Sequence, residues 1–264
     1  MSVVILQDQI VHYEVLGRGR PLIFLHGWVG SWRYWIPSMQ AASISFRTYA
    51  IDLWGFGDTS KAEEHYTLEE QVNLVDLFMQ EMGIGKVALI GHGLGSIVAM
   101  MYACRYKRFV DRVMVIGLPD GQHTLSARLK TSPPNELADW LVSRTAEGEA
   151  ARAEAPKADL RAIQSSLENL DRVDLPALSQ SLETPCLMVY GQNDPALEDS
   201  SSSNETQNGL PEHIHQIVFE QSGHFPMLEE QSKFNRLVAD FLSLTSGISP
   251  RQLQLKEEWK RRVR

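Results

Sequence analysis

Short runs of apolar residues recur along the chain and predict β-strands. Residues 3–7 and 10–15 alternate apolar and polar side chains, and Asp8-Gln9 between them predicts a hairpin turn. Residues 21–25 are continuously apolar, as is typical of a strand buried on both faces of a parallel sheet. Similar runs predict further strands at residues 47–51, 87–90, 113–116, 186–190 and 215–219. The chain therefore carries the pattern of eight strands.

Helical periodicity fills most of the intervals between these strands. Residues 32–42 predict a helix that is interrupted near Pro37. Thr67, with a glutamate three residues on, predicts a capping box for a helix of apolar period 3.6 that ends at Gly83. Residues 232–244 predict a closing helix. Strands that alternate with helices predict an α/β fold, in which a mostly parallel sheet has helices on both faces.

Strand signals stop between residues 121 and 182. This segment is charged and rich in alanine, and its clearest helical patterns are at residues 137–143 and 160–170. A segment of this length between two strands predicts a helical cap inserted into the sheet domain. The predicted units are a core formed by residues 1–120 and 183–246, a cap at 121–182 and a basic C-terminal tail at 247–264.

Composition limits the functional classes. A hydrophobic content of 43% over 264 residues allows a substantial core, and the formal net charge of −8 disfavours non-specific binding to nucleic acid. We find neither a run of 18 apolar residues that would span a membrane nor the pattern of a secretory signal. Cys104 and Cys186 are expected to be buried thiols in a reducing compartment, which predicts a cytoplasmic protein.

One stretch has the pattern of a nucleophile elbow, in which a strand turns sharply into a helix. It reads Leu-Ile-Gly-His-Gly-Leu-Gly-Ser over residues 89–96. Gly91 and Gly95 supply the small residues that such a turn needs beside its apex. The apex itself, where a nucleophile belongs, is Gly93, which has no oxygen or sulfur. His92 is expected to pack, and Ser96 to lie in the first helical turn away from the apex.

Four motifs in chain order resemble the α/β-hydrolase superfamily, in particular its small-esterase, haloperoxidase-like and carbon–carbon bond hydrolase branches. They are His26-Gly27-Trp28, Asp52-x-x-Gly55-x-Gly57-x-Thr59, the elbow, and Asp194 followed by Gly223-His224. The resemblance runs from about Pro21 to Leu242. It implies the α/β-hydrolase fold, with a mostly parallel eight-stranded sheet and an inserted helical cap.

The resemblance also implies roles for individual residues. Asp194 falls on the family's acid and His224 on its base, and a carboxylate that holds one imidazole nitrogen raises the basicity of the other. Asp120, which follows an earlier strand, is a weaker candidate for the acid. The backbone N–H groups of Trp28 and Leu94 fall on the oxyanion hole. Neither a metal nor a cofactor is expected.

Gly93 departs from the family at the nucleophile position, and three hypotheses remain. The first is an enzyme that hydrolyses a small, partly apolar substrate, of the ester or carbon–carbon bond class, without a covalent step and with His224 and Asp194 as general base. The second is a non-catalytic protein that binds a ligand or a partner. The third is a serine esterase disabled at its nucleophile. Restoring the hydroxyl with Gly93→Ser is the experiment that distinguishes them.

The C-terminal tail has a pattern of its own. Leu255, Trp259 and Val263 recur at a spacing of four residues among basic side chains. Such a helix is able to dock a partner or a membrane surface, and a solvated terminal helix gives the same pattern.

Overall fold

A single sheet organises the protein, as seen in a computed structural model that describes residues 2–198, 210–245 and 248–255. Within these residues eight strands pair in the order β1-β2-β4-β3-β5-β6-β7-β8. The β1–β2 and β2–β4 pairs are antiparallel, and all other neighbours are parallel. The strands are β1 (Ser2–Leu6), β2 (Gln9–Leu16), β3 (Arg20–Leu25), β4 (Phe46–Ile51), β5 (Val87–His92), β6 (Val110–Ile116), β7 (Cys186–Gly191) and β8 (Ile214–Phe219). The predicted mostly parallel eight-stranded sheet is confirmed.

Helices connect the parallel strands, as their crossover connections require. In the described part of the chain they are α1 (Ile36–Ala42), α2 (Leu68–Glu81), α3 (Leu94–Arg105), α4 (Arg128–Thr131), α5 (Pro134–Leu141), α6 (Glu149–Glu154), α7 (Leu160–Leu170), α8 (Leu175–Ser181), α9 (Pro226–Glu229) and α10 (Gln231–Ser243). The side chain of Thr67 accepts a hydrogen bond from the Glu70 N–H, as the capping box predicts.

Three local predictions differ from the structure. The β1–β2 turn is centred on Gln7 and Asp8, which have φ of 51° and 59°, instead of on Asp8 and Gln9. Pro37 does not interrupt a helix: a 3₁₀ turn ends at Trp35, and Pro37 lies in the first turn of α1, where its missing N–H leaves no bond unmade. Cys186 is buried as expected, but Cys104 is only partly buried.

The segment predicted as a cap contains α4 to α8, between β6 and β7. Side chains of its middle part contact the core. Glu154 is buried and forms an ion pair with Arg33 over 2.9 Å, and Lys157 forms one with Asp58 over 3.0 Å. At the end of the segment, α8 instead lies against α3, where the Cys104 thiol contacts the Leu178 carbonyl at 3.4 Å.

The elbow is built by close approach of backbone to backbone. A Cβ atom added at Gly91 would lie 2.1 Å from the Gly95 carbonyl oxygen, and one at Gly95 would lie 2.4 Å from the Leu25 carbonyl oxygen. Both distances are far below van der Waals contact and neither partner is a flexible side chain. Glycine at both positions therefore allows β5 and α3 to pack against the end of β3.

We predict that Gly91→Ala lowers the free energy of unfolding by about 3 kcal/mol or more, because the added methyl overlaps fixed backbone. Urea denaturation followed by circular dichroism measures this change. Gly85→Ala is the matched control, since a Cβ at Gly85 meets no atom within 4 Å. Equal unfolding midpoints for the two variants would show that the elbow is not closely packed.

Asp52, at the end of β4, ties three segments of the core together. Its buried carboxylate accepts hydrogen bonds from His12 Nδ1 at 2.9 Å, from the Trp32 N–H at 2.9 Å and from the Asp58 N–H at 3.0 Å. A Cβ at Gly57 would lie 2.2 Å from one of its oxygens. The motif needs Asp52 because its carboxylate accepts the hydrogen bonds that join these segments. It needs glycine at residue 57 because a side chain there would overlap the carboxylate.

The pair of His12 and Asp52 makes stability depend on pH. Burial lowers the pKa of His12, but the hydrogen bond to Asp52 and the charges of Asp52, Asp58 and Glu14 together outweigh it, and the net pKa lies above the ordinary 6.5. Folding therefore favours the protonated imidazole. Its contribution to stability is complete below the unfolded-state pKa and is lost as pH rises through the raised folded-state pKa.

We therefore expect the unfolding free energy of the protein to fall more steeply above pH 6.5 than that of His12→Asn, which retains a donor for Asp52 but does not titrate. Denaturation midpoints measured from pH 6 to pH 9 test this. His123→Asn is a control outside this hydrogen-bond network. Parallel pH curves for the protein and His12→Asn would contradict the prediction.

Candidate active site

The elbow places Gly93 at the junction of β5 and α3. Gly93 has φ of 50° and ψ of −111°, a conformation that strains residues with a side chain. Its N–H donates to the Ile116 carbonyl at 2.9 Å. Ser96 lies in the first turn of α3 as predicted, and its buried hydroxyl donates to the Gly93 carbonyl at 2.6 Å. The Ser96 hydroxyl therefore caps the backbone at the apex and does not stand at the apex itself.

The indole of Trp28 covers the apex. A Cβ built on Gly93 would lie 3.2 Å from Trp28 Cε3 and 3.3 Å from Cζ3, which is slightly closer than a comfortable contact. Trp28 is buried, and its Nε1–H donates to the Ser166 hydroxyl in α7 at 3.0 Å. A side chain at the apex would thus press on a ring that the predicted cap holds in place.

Asp194 and His224 are brought together although 30 positions separate them in the chain. Asp194 follows β7 and His224 follows β8, and His224 Nδ1 lies 2.9 Å and 3.0 Å from the two carboxylate oxygens. Both residues are buried. The Ala196 N–H also donates to Asp194 at 2.8 Å. A carboxylate can only accept, so Nδ1 of His224 carries the proton.

The other nitrogen of His224 is left without a protein partner. Within the described residues, Nε2 is buried and makes no hydrogen bond. With Nδ1 protonated, Nε2 of the neutral ring carries a lone pair, which is what a general base requires. Asp120, the alternative acid, has an exposed side chain, and it is Asp194 that holds the imidazole.

The predicted oxyanion donors are backbone groups next to the apex. Leu94 is the first residue of α3, and N–H groups in the first turn of a helix have no intrahelical acceptor. Among the described residues we find no acceptor for the N–H of Leu94 or of Trp28. The positive end of the helix dipole also lies at Leu94 and favours negative charge there.

Sequence reasoning missed two polar side chains that connect these parts. The Gly27 N–H donates to the Tyr34 hydroxyl at 2.7 Å, and that hydroxyl lies 3.0 Å from His92 Nδ1. His92 Nε2 in turn lies 2.9 Å from the carbonyl oxygen of His224. The histidine beside the apex was the available signal, but the sequence alone favoured packing for His92.

One group in the described part of the chain has the donor spacing of a metal site. Ligand atoms of His12, Asp52 and Asp58 lie within 4.8 Å of one another. The side chains of His12 and Asp52 already hydrogen-bond to each other. The Asp58 carboxylate already accepts a hydrogen bond from Lys157, whose Nζ lies 3.0 Å away. The group is therefore accounted for as the brace around Asp52. No helix in the described residues is both long and apolar enough to cross a membrane.

Known proteins resemble this chain in sequence. A soluble epoxide hydrolase of Corynebacterium sp. is 32% identical over 111 residues, which are 42% of this chain and 39% of that protein, so the match spans well under half of the relative. The pimeloyl-(acyl-carrier protein) methyl ester esterase of Vibrio campbellii is 24% identical over 256 residues, covering 88% of this chain and 98% of that protein.

A solved structure and a family model also resemble this chain. A Ser-to-Gly mutant of an N-acyl homoserine lactonase, complexed with N-hexanoyl homoserine lactone, superposes with a TM-score of 0.76 at 20% identity and covers 91% of this chain and 96% of that one. The model of the alpha/beta hydrolase fold matches residues 20–158, more than half of the chain. The protein belongs to the α/β-hydrolase fold family.

Proposed function

We propose that the protein hydrolyses a small, partly apolar substrate, of the ester or carbon–carbon bond class, without forming a covalent intermediate. His224 acts as general base, Asp194 orients it, and the N–H groups of Trp28 and Leu94 stabilise the oxyanion. The observation that carries the proposal is the buried Nε2 of His224, which has no protein partner among the described residues while Nδ1 is held by both oxygens of Asp194.

The proposed reaction on an ester proceeds in two steps. Nε2 of His224 takes a proton from water as the water oxygen attacks the carbonyl carbon, and negative charge develops on the carbonyl oxygen. The imidazolium then returns the proton to the departing alkoxide, and the acid and the alcohol leave. Gly93 forms no bond to the substrate. The attacking water takes the role that the serine hydroxyl at this position has in a serine enzyme.

General base catalysis and oxyanion stabilisation are together sufficient to support such activity. General base catalysis contributes roughly 10²- to 10⁴-fold, and an oxyanion donor about 10²- to 10³-fold. Without a covalent step, we expect turnover well below that of a serine enzyme of the same fold. The esterase and lactonase among the similar proteins support ester-type substrates.

We predict that His224→Gln lowers kcat/KM for short-chain aryl esters and lactones by about 10²- to 10⁴-fold, because the base is removed. Asp194→Asn should act in the same direction, since the amide favours the wrong tautomer of His224. Initial rates measured on the purified protein test both variants. His215→Gln is the control, because His215 bonds the Leu253 carbonyl near the start of β8. Unchanged rates in His224→Gln would refute the assigned base.

Gly93→Ser tests whether the remaining groups form a site for a covalent nucleophile. The serine must adopt a positive φ and move the Trp28 ring, so we expect a loss of about 1–3 kcal/mol in stability. We also expect faster ester hydrolysis, with burst kinetics and labelling by a serine-directed phosphonate. The unmodified protein should turn over esters slowly, with neither a burst nor labelling.

Binding without turnover is the outcome that would replace the proposal. The lactonase structure pairs a Ser-to-Gly mutant of this fold with a bound ligand. Saturable binding of an ester or lactone by calorimetry, with no product from the unmodified protein, would identify a ligand-binding protein, and hydrolysis by Gly93→Ser would identify it further as a serine esterase disabled at residue 93.

A further inference from the structure

Three hydrogen bonds cross the candidate active site in a single line. They run from the Gly27 N–H to the Tyr34 hydroxyl at 2.7 Å, from that hydroxyl to His92 Nδ1 at 3.0 Å, and from His92 Nε2 to the His224 carbonyl at 2.9 Å. Tyr34, His92 and His224 are each at most 2% exposed. The line joins segments that lie far apart in sequence, which are the loop after β3, the elbow and the loop after β8.

With a neutral His92 ring, only one placement of protons satisfies every bond in this line. A backbone N–H can only donate, so the Tyr34 oxygen accepts from Gly27. A backbone carbonyl can only accept, so His92 carries its proton on Nε2 and offers a lone pair at Nδ1. The Tyr34 proton then points to Nδ1. The bonds therefore have a fixed direction, from Gly27 towards His224.

Burial keeps both side chains in the charge state that this arrangement needs. Burial, together with the neighbouring His224 and His26, lowers the pKa of His92 well below 6.5, so its ring is neutral. Burial also raises the pKa of Tyr34 well above 10, so its hydroxyl keeps its proton. Neither group changes charge near neutral pH.

Ring packing and a close backbone contact restrict the line further. The His92 ring lies 4.5 Å from the His224 ring and 4.8 Å from the Phe225 ring, measured between centroids, and Tyr34 meets Phe225 edge to face at 5.3 Å. A Cβ at Gly27 would lie 3.0 Å from His92 Nδ1. The imidazole of His92 therefore has little room to turn.

The two ends of the line adjoin the groups that perform the proposed chemistry. Gly27 immediately precedes Trp28, whose N–H is a proposed oxyanion donor, and His224 carries the proposed base. We propose that Tyr34 and His92 are positioning residues, which fix the Trp28 N–H and the His224 imidazole relative to one another across the elbow. This inference rests on the proposed function, which gives those two groups their roles.

The first test uses NMR on the unmodified chain and needs no turnover. The His224 Nδ1 proton, bonded to Asp194, is expected to give a resonance far downfield of the amides. Tyr34→Phe and His92→Phe should shift or broaden this resonance and move the Gly27 amide signal. Tyr102→Phe, which removes a buried hydroxyl bonded to Asp76 away from the site, should leave both signals in place. Unchanged signals in Tyr34→Phe and His92→Phe would overturn the inference.

The second test measures kinetics in the Gly93→Ser background. Tyr34→Phe and His92→Phe should lower kcat about 10- to 100-fold with KM within about twofold, because misplacement by a fraction of an ångström penalises the transition state more than binding. His92→Gln, which can still donate to the His224 carbonyl and accept from Tyr34, should recover part of the loss. A kcat loss no greater than in Tyr102→Phe, or no recovery in His92→Gln, would overturn the inference.

The two tests separate this inference from the proposed function. If the unmodified protein hydrolyses no substrate, the proposed function fails. The NMR signals still decide whether Tyr34 and His92 hold the His224 imidazole, because they are read without substrate. Tyr34→Phe keeps the size and shape of the ring, so a folded variant is available for that measurement.

Discussion

The close contact of backbone at the elbow is the constraint on which the site depends. Without side chains at Gly91 and Gly95, the end of β5 and the start of α3 reach the carbonyl groups at the end of β3. That approach brings the first N–H of α3 beside the loop that carries Trp28. Because backbone groups supply both proposed oxyanion donors, this part of the site is independent of the side chain at residue 93.

Buried hydrogen bonds fix the proposed catalytic side chains, and these bonds connect the ends of different strands. Asp194 holds His224 from the neighbouring strand end, and a Cβ at Gly117, after β6, would lie only 3.5 Å from Asp194 and 3.9 Å from His224. The side chain of His92, at the end of β5, bonds the main-chain carbonyl of His224. A buried polar group left without a partner costs about 1–3 kcal/mol, so a movement that breaks one of these bonds is opposed by that cost.

Much of the fold could be predicted from the sequence because the strands are short, apolar and separated by clear helical periods. The β1–β2 turn was misplaced by one residue, because Gln7 and Asp8 adopt positive φ without the glycine that usually signals it. The four motifs predicted that Asp194 pairs with His224 and that Gly93 lies at the turn between β5 and α3, and the chemical roles of these residues remain a proposal. Tyr34 and His92 could not be assigned, because their partners lie 58 and 132 positions away and spacing along the chain carries no trace of such bonds.

Several polar contacts join the segment predicted as a cap to the rest of the protein. Glu154 is buried against Arg33 and Ser31, Lys157 meets Asp58, and Tyr66 donates to Asp159. Apolar surfaces can slide over one another at small cost, whereas a hydrogen bond weakens steeply when its distance or angle changes. It follows that moving the segment around residues 154–159 away from the core breaks these contacts together.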